Sequence, residues 1–412
     1  MKYDVFFSIS QTEVDGFTPT TNEMFANFFD QVKLADELGY ETAWVAETHL
    51  SCQTQKQTSL KVVPEFKGEI GLNTDILQIA NAVYDQTKSI KVGSAIRNII
   101  CNGGPIAHAE AVKTFMALKQ FTKHKDRGLE LGFAAGRFDF TNAPYGVSPR
   151  NEWEKSFWHM VKSRALEEAT EIFMRLLSGE ELSSDDISQK HLSESDFRTK
   201  EDWGKASSLA KDFGDFEGEN IRVKKFFEFE KLSLIPLEAD MSKLQLTIGT
   251  HDPKLQKFCN KYFPTRVFNL SITPPKVIEE THLRMAEAYH QDGGKWQREY
   301  MPRTAMVFID DSEGLTAEQK NEKAKLKAKS AWENYWKAMA GTIDQKKVES
   351  AVDNTIYGCP EQIAEKVVEK YNPKDRLMLW FDFNNHDNED VKKSMMLFKE
   401  KVIPLIDERG RK

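Results

Sequence analysis

DVFFSISQTEVDGFTPTTNEMFANFFDQVKLADELGYETAWVA (residues 4–46) reads as strand, helix and strand in succession. DVFFSIS (4–10) and ETAWVA (41–46) are short and mostly apolar, without the alternation of a sheet that has one wet face. Strands covered on both faces have that composition. Between them Phe25, Phe28, Phe29, Val32, Ala35 and Leu38 recur at helical spacing, Thr20 and Glu23 form a capping box, and Gly39 supplies the stop. The turn SQTEVDG (10–16) lacks the G-x-G-x-x-G of a dinucleotide-binding unit.

The same unit repeats outward from this stretch. Six further apolar runs follow: IKVGSAI (90–96), GLELGFA (128–134), LQLTIG (244–249), RVFNLSI (266–272), TAMVFID (304–310) and LMLWFD (377–382). Helical periodicity fills the intervals near 73–87, 105–122, 151–179, 253–263, 274–292 and 315–341, and closes the chain through Val391, Met395, Phe398, Val402 and Leu405. Eight strands alternating with eight helices predict an α/β fold, a (β/α)8 TIM barrel, in preference to an open doubly wound sheet. The 412 residues then form one barrel domain over 1–412, with an insertion over 180–240 between helix four and strand five. Residues 180–220 carry 12 acids against 5 bases and read as a solvated polar loop, a lid over the barrel mouth being the sharper alternative. GENIRVKKFFEFEKLSLIP (218–236) reads as a hairpin, and the link before the last strand holds a short helix opened by Pro360.

Composition narrows the function. The 57 basic and 64 acidic side chains give a net charge of −7, without the basic footprint of a nucleic-acid binder. The longest apolar stretches, such as LMLW (377–380), fall far short of the ~20 residues that cross a bilayer. MKYDVFFSIS has an acid at Asp4 and no signal-peptide core, so a cytoplasmic protein with neither membrane nor nucleic-acid partner is expected. Cys52, Cys101, Cys259 and Cys359 lie far apart with no histidine at zinc spacing, so reduced thiols and no metal site are expected.

A barrel carries its chemistry at the C-terminal ends of its strands. After strand two, Glu47 and His49 share the parity of Ala43 and Val45 and point the same way. After strand three come Arg97, Asn98 and Asn102, then Gly103-Gly104-Pro105, a turn that permits close backbone approach at a helix start. Strand four ends in Gly136 and Arg137, strand five in Gly249, Thr250, His251 and Asp252, and strand eight in Trp380, Asp382 and His386.

Four segments in this order, ADELGYETAWVAETHL (35–50), IKVGSAIRNIICNGGPIAHAEAVKTFMAL (90–118), GLELGFAAGRFDFTNAPYGV (128–147) and YGCPEQIAEKVVEKY (357–371), resemble the bacterial-luciferase-like flavin-dependent monooxygenases and their F420-using relatives. The resemblance implies an enzyme that takes reduced FMN and O2, forms a flavin hydroperoxide in a dry cavity and oxidises a small organic substrate. It also implies a flavin reductase as partner and a homodimer through the helices after strands two and three, where Ile76, Ile79 and Phe115 are either interface or core. The family's Glu-His-His reads here as Glu47-Thr48-His49, so the resemblance carries general acid–base work to His49, with Glu47 beside it. Two arginines of the luciferase phosphate site are Ala107 and Ala135 here. The phosphate then falls to Gly249, Thr250 and His251 with Arg137 as replacement cation. Asn98, Asn102, Gly103 and Gly104 face the flavin, and Trp380 and Asp382 the substrate. Ordinary roles stay open beside each of these: turn formation for Asn102, an ion pair for Arg137, packing for Trp380 and Asp382. So do an F420-dependent hydride transfer, a flavin-binding subunit without catalysis, and a hydrolase using Glu47 and Asp382.

Overall fold

The computed structural model describes residues 1–49, 75–136, 139–340 and 345–410. In chain order its strands are β1 (Lys2–Phe7), β2 (Thr42–Val45), β3 (Lys91–Asn98), β4 (Leu129–Ala134), β5 (Lys190–Leu192), β6 (Phe216–Glu217), β7 (Asn220–Val223), β8 (Leu244–Ile248), β9 (Thr265–Val267), β10 (Arg303–Ile309), β11 (Ile356–Gly358) and β12 (Arg376–Trp380). All eight runs expected from sequence are strands here. With β11 added they form one nine-stranded parallel sheet in the order β11-β10-β12-β1-β2-β3-β4-β8-β9. The sheet curls on itself: Asn269, just past β9, bridges in parallel to Arg303 of β10, its N–H donating to the Pro302 carbonyl and its carbonyl accepting from Thr304. This is the α/β barrel that the alternation predicted.

The two faces of each strand have separate partners. Val5, Phe7, Ala43 and Val45 pack against the helical layer, while Phe6, Trp44, Phe268 and Met378 fill the lumen. Helix Thr21–Glu37 keeps its expected capping box at Thr20 and Glu23 and buries Met24, Phe28, Val32 and Ala35. In the lumen Asp4 accepts from Trp44 Nε1 at 2.8 Å and from Arg376 at 2.9 Å, and Arg376 reaches Glu41 at 2.8 Å. Gly93 is needed beside Trp44, because a Cβ there would lie 2.7 Å from the indole.

The insertion corrects two expectations. Residues 180–220 are not a plain polar loop: they hold β5 and helix Lys200–Asp212, and β5, β7 and β6 form a three-stranded antiparallel sheet. Their acids surround a small apolar set, Leu192, Ala206, Ala210 and Ile221, which the average charge of the segment hides. The hairpin expected over 218–236 is displaced toward the N-terminus: β6 and β7 pair over 216–223, turning at Gly218 and Glu219, and of 224–236 only Leu232 takes part in a bridge, to Leu182. The helix opened by Pro360 is present as Pro360–Lys370, preceded by the unexpected β11, whose three residues are too short to show a period. Cys101, Cys259 and Cys359 are free and buried; Cys52 lies outside the described residues. Among the described residues no helix is long and apolar enough to cross a membrane.

Breaking one side of a buried ion pair costs about 3–5 kcal/mol because the other charge is stranded. Arg376→Met is therefore expected to lower unfolding free energy by about 3 kcal/mol, and adding Asp4→Asn to recover a large part of it; denaturant unfolding of both variants measures this.

Candidate active site

A cavity of about 110 Å³ opens at the C-terminal ends of β1, β2 and β12. The strand ends contribute Ser8, Ala46 and Trp380, helix Thr21–Glu37 contributes Asn27 and Phe28, and helix Ala317–Ala340 contributes Tyr335. Ile9 and Asn384 line it with left-handed backbone, φ 43° and φ 45°. For a β-branched residue such as Ile9 that conformation costs on the order of 1–3 kcal/mol, and such strain concentrates at functional sites.

Asp382 and Trp380, both expected on the substrate side, line this cavity and meet at Ser8. The Ser8 N–H donates to Asp382 Oδ2 at 2.8 Å, its hydroxyl stands 3.3 Å from Oδ1, and Trp380 Nε1 donates to that hydroxyl at 2.8 Å. Burial pushes the Asp382 carboxyl up to about 7, against the opposing pull of the Ser8 hydrogen bonds. His386, on the same loop, donates from Nε2 to the Thr12 carbonyl at 2.7 Å, and burial lowers its pKa, leaving the ring neutral.

Glu47 and His49 do come together, and their shared parity puts them on the helical side of β2 with Ala43 and Val45. Glu47 Oε1 stands 3.4 Å from His49 Nε2 and 3.5 Å from an Arg97 guanidinium nitrogen, while Oε2 accepts from Ser94 Oγ at 2.5 Å. Arg97 Nε donates to His108 Nδ1 at 2.7 Å, and His108 Nε2 donates to the Cys101 carbonyl at 2.9 Å. Burial, then the Arg97 charge, pushes His108 down to about 3, so its ring is neutral. This buried cluster lies behind β2 and β3, and neither Glu47 nor His49 lines the cavity described above.

The residues expected at the cofactor are spread over several tasks. Asn98 donates to Asn142 Oδ1 at 2.6 Å and to Thr141, holding the end of β3 to the loop after β4. Asn102, Gly103 and Gly104 are three successive left-handed residues. What approaches Gly104 closely is Phe227 of the insertion, whose ring would lie 2.8 Å from an added Cβ. Phe226 and Phe227 are fixed in turn by their N–H groups on the buried Glu168 carboxylate, at 3.0 and 3.1 Å. Gly249 spends its N–H on the Phe133 carbonyl, and Thr250 Oγ1 accepts from the Asp252 N–H. His251 Nδ1 is buried with no hydrogen-bond partner among the described residues, and its pKa is lowered by burial and then by the Arg284 charge. Arg137 lies outside the described residues. Among them, no cluster of three His, Cys, Asp or Glu is arranged to hold a metal.

Ser8 and Arg284 were missed from the sequence. Ser8 sits inside the first apolar run and reads as strand; only the pairing of β1 with β12 sets it against Asp382. Arg284 lies mid-helix in Pro275–Ala288, with no local signal linking it to the turn after β8.

Residues 3–194 match the family model described as luciferase-like monooxygenase. That match spans just under half of the chain. No curated protein matches the chain by sequence. The fold of the whole chain is shared with solved structures of low sequence identity. Monooxygenase RslO1 from Streptomyces bottropensis has a TM-score of 0.65 at 15% identity, over 98% of this chain and 99% of that one. The oxygenating constituent of 3,6-diketocamphane monooxygenase from the CAM plasmid of Pseudomonas putida, solved with FMN, has a TM-score of 0.55 at 15% identity, over 98% and 99%. An F420-dependent secondary alcohol dehydrogenase, solved with an F420-acetone adduct, has 0.54 at 15%, over 98% of each chain. The family match thus lies in the N-terminal half, while the shared fold extends over nearly the full length.

Two outcomes follow from this geometry. Gly104→Ala is expected to destabilise the fold by about 1–3 kcal/mol, and by clearly less in a Phe227→Ala background, in a double-mutant cycle by urea unfolding. For Asp382 the native pKa near 7 exceeds the ordinary value of 3.8, so its contribution is present at low pH and lost as pH rises through 7. Asp382→Asn is then expected to gain stability relative to the parent between pH 5 and pH 8, read as melting temperatures at the two values.

Proposed function

We propose that this luciferase-like chain is a flavin-dependent monooxygenase that uses reduced FMN and O2 to oxidise a small organic molecule. The observation that carries this reading is the cavity at the ends of β1, β2 and β12, walled by Phe28, Trp380 and Phe383 and placed where a barrel does chemistry. Its volume of about 110 Å³ is below the ~300–1,000 Å³ of pockets that engulf a whole ligand of cofactor size, so it is assigned to the substrate.

For the flavin phosphate the donor set at the turn after β8 fits: His251 Nδ1, without a hydrogen-bond partner among the described residues, the Thr250 hydroxyl and the nearby Arg284 would hold an anion in place of the two missing arginines. Reduced FMN, when bound, supplies the electrons that activate O2. The chain's own part is to keep water out with the aromatic walls and to hold protons at Asp382 and Ser8. The Glu47–His49–Arg97 cluster supports β2 and β3 from behind, so His49 is assigned a positioning role. A reductase that delivers reduced flavin is part of this reading.

Quenching of flavin and F420 fluorescence, measured anaerobically with oxidised and reduced cofactor, tests it. Tight binding of reduced FMN is expected. Preference for F420 would transfer the reading to hydride transfer, and failure to bind either would end it. Arg284→Met is expected to weaken FMN about tenfold while leaving riboflavin, which lacks the phosphate, unchanged.

A further inference from the structure

We propose that Ser8 and Asp382 together form the donor to the oxygen of a neutral carbonyl substrate, Ser8 as the catalytic residue touching that oxygen and Asp382 as the positioning residue that supplies the proton behind it. This rests on the monooxygenase reading above. Both residues line the cavity, and Asp382 is fixed there by the Ser8 N–H on Oδ2 at 2.8 Å.

A serine hydroxyl has one hydrogen and two lone pairs. Trp380 Nε1 occupies one lone pair of Ser8 at 2.8 Å, and Asp382 Oδ1 stands 3.3 Å from the same oxygen. With Asp382 protonated and donating to the second lone pair, the Ser8 hydrogen is turned to the cavity. With Asp382 ionised, that hydrogen is drawn to the carboxylate and the cavity loses its donor. The protonation state of Asp382 therefore decides what Ser8 presents.

The charge of the lining selects the substrate class. Among the described residues no lysine or arginine lines the cavity; the titratable groups there are Asp382 and His386 on one loop and Tyr335 on helix Ala317–Ala340. Asn27, Gln31 and Asn385 are neutral amides. An anionic substrate would meet no counter-ion and a carboxyl group, whereas a neutral acceptor oxygen meets the Ser8–Asp382 donor.

The proton balance is simple. A nucleophilic oxygen of the kind that reduced FMN and O2 would supply would form a C–O bond to the carbonyl carbon as the C=O π pair moves onto the carbonyl oxygen. That oxygen takes the Ser8 hydroxyl proton, and Ser8 Oγ takes the proton from Asp382 Oδ1. When the C=O bond re-forms in the product, its oxygen returns the proton to Ser8 Oγ and Ser8 returns its own to Asp382 Oδ1, so both residues end the turnover as they began it.

Calorimetric titration of the cofactor-free full chain with cyclohexanone and with cyclohexanecarboxylate, at pH 5.5 and pH 8.5, tests this. The ketone is expected to bind about tenfold tighter at pH 5.5, and the carboxylate much more weakly than the ketone at both. Asp382→Asn should flatten the pH dependence, and Ser8→Ala should lower ketone affinity at pH 5.5 to its pH 8.5 value. Undetectable ketone binding, pH-independent binding in the parent chain, equal affinity for the carboxylate, or persistence of the pH dependence in Asp382→Asn would each overturn the proposal. The parent's own pH dependence needs no variant to fold. Because no flavin is present, the result is read independently of cofactor binding.

Discussion

A barrel whose strands are apolar on both faces closes only if the few charges inside it are paired. Asp4 on β1 and Arg376 on β12 satisfy that constraint at the seam where the first and last strands meet, and Trp44 of β2 adds its indole N–H to the same carboxylate. The opposite seam closes through Asn269, whose backbone stitches the region after β9 to β10. Desolvating a charge is expensive, and an isolated one in this lumen would weigh against the closed ring. Phe6, Trp44, Phe268 and Met378 fill the lumen beside the pair.

Polar groups near those ends divide into two populations. Behind β2 and β3, Glu47, His49, Ser94, Arg97 and His108 form a cluster facing the helices, with the neutral His108 ring receiving the Arg97 N–H and passing its own to Cys101. In front, at the ends of β1 and β12, Ser8, Asp382 and Trp380 face a cavity beside strained backbone at Ile9 and Asn384. The rule that separates them is strand parity: successive side chains point to opposite faces, so a shift of one position moves a residue from cavity to helical layer. The rear cluster also sits beside the left-handed turn at Asn102 and Gly103, so it joins strand ends to the helix Gly104–Lys119.

The insertion enters this arrangement through packing. Glu168, buried in helix Trp158–Leu177, accepts the N–H groups of Phe226 and Phe227 and presents the second ring to Gly104. The insertion is thus anchored to the barrel by the Glu168 carboxylate and two aromatic rings, and its own buried acid, Asp215, accepts from Trp153 Nε1 at 3.0 Å.

The sequence was sufficient for the strand count, the helical layer and the capped first helix, because these follow from local periodicity and from which residues tolerate burial on both faces. It also brought Glu47 to His49 and marked Asp382 and Trp380, since parity and strand ends are local properties. It did not reach Ser8, Arg284 or the approach of Phe227 to Gly104. Each of those depends on a partner hundreds or tens of residues away whose position is set by ring closure and packing, and no local pattern in the chain encodes such a distance. Which face of β2 looks into the cavity, and hence which of the marked residues line it, was decided by the tertiary structure for the same reason.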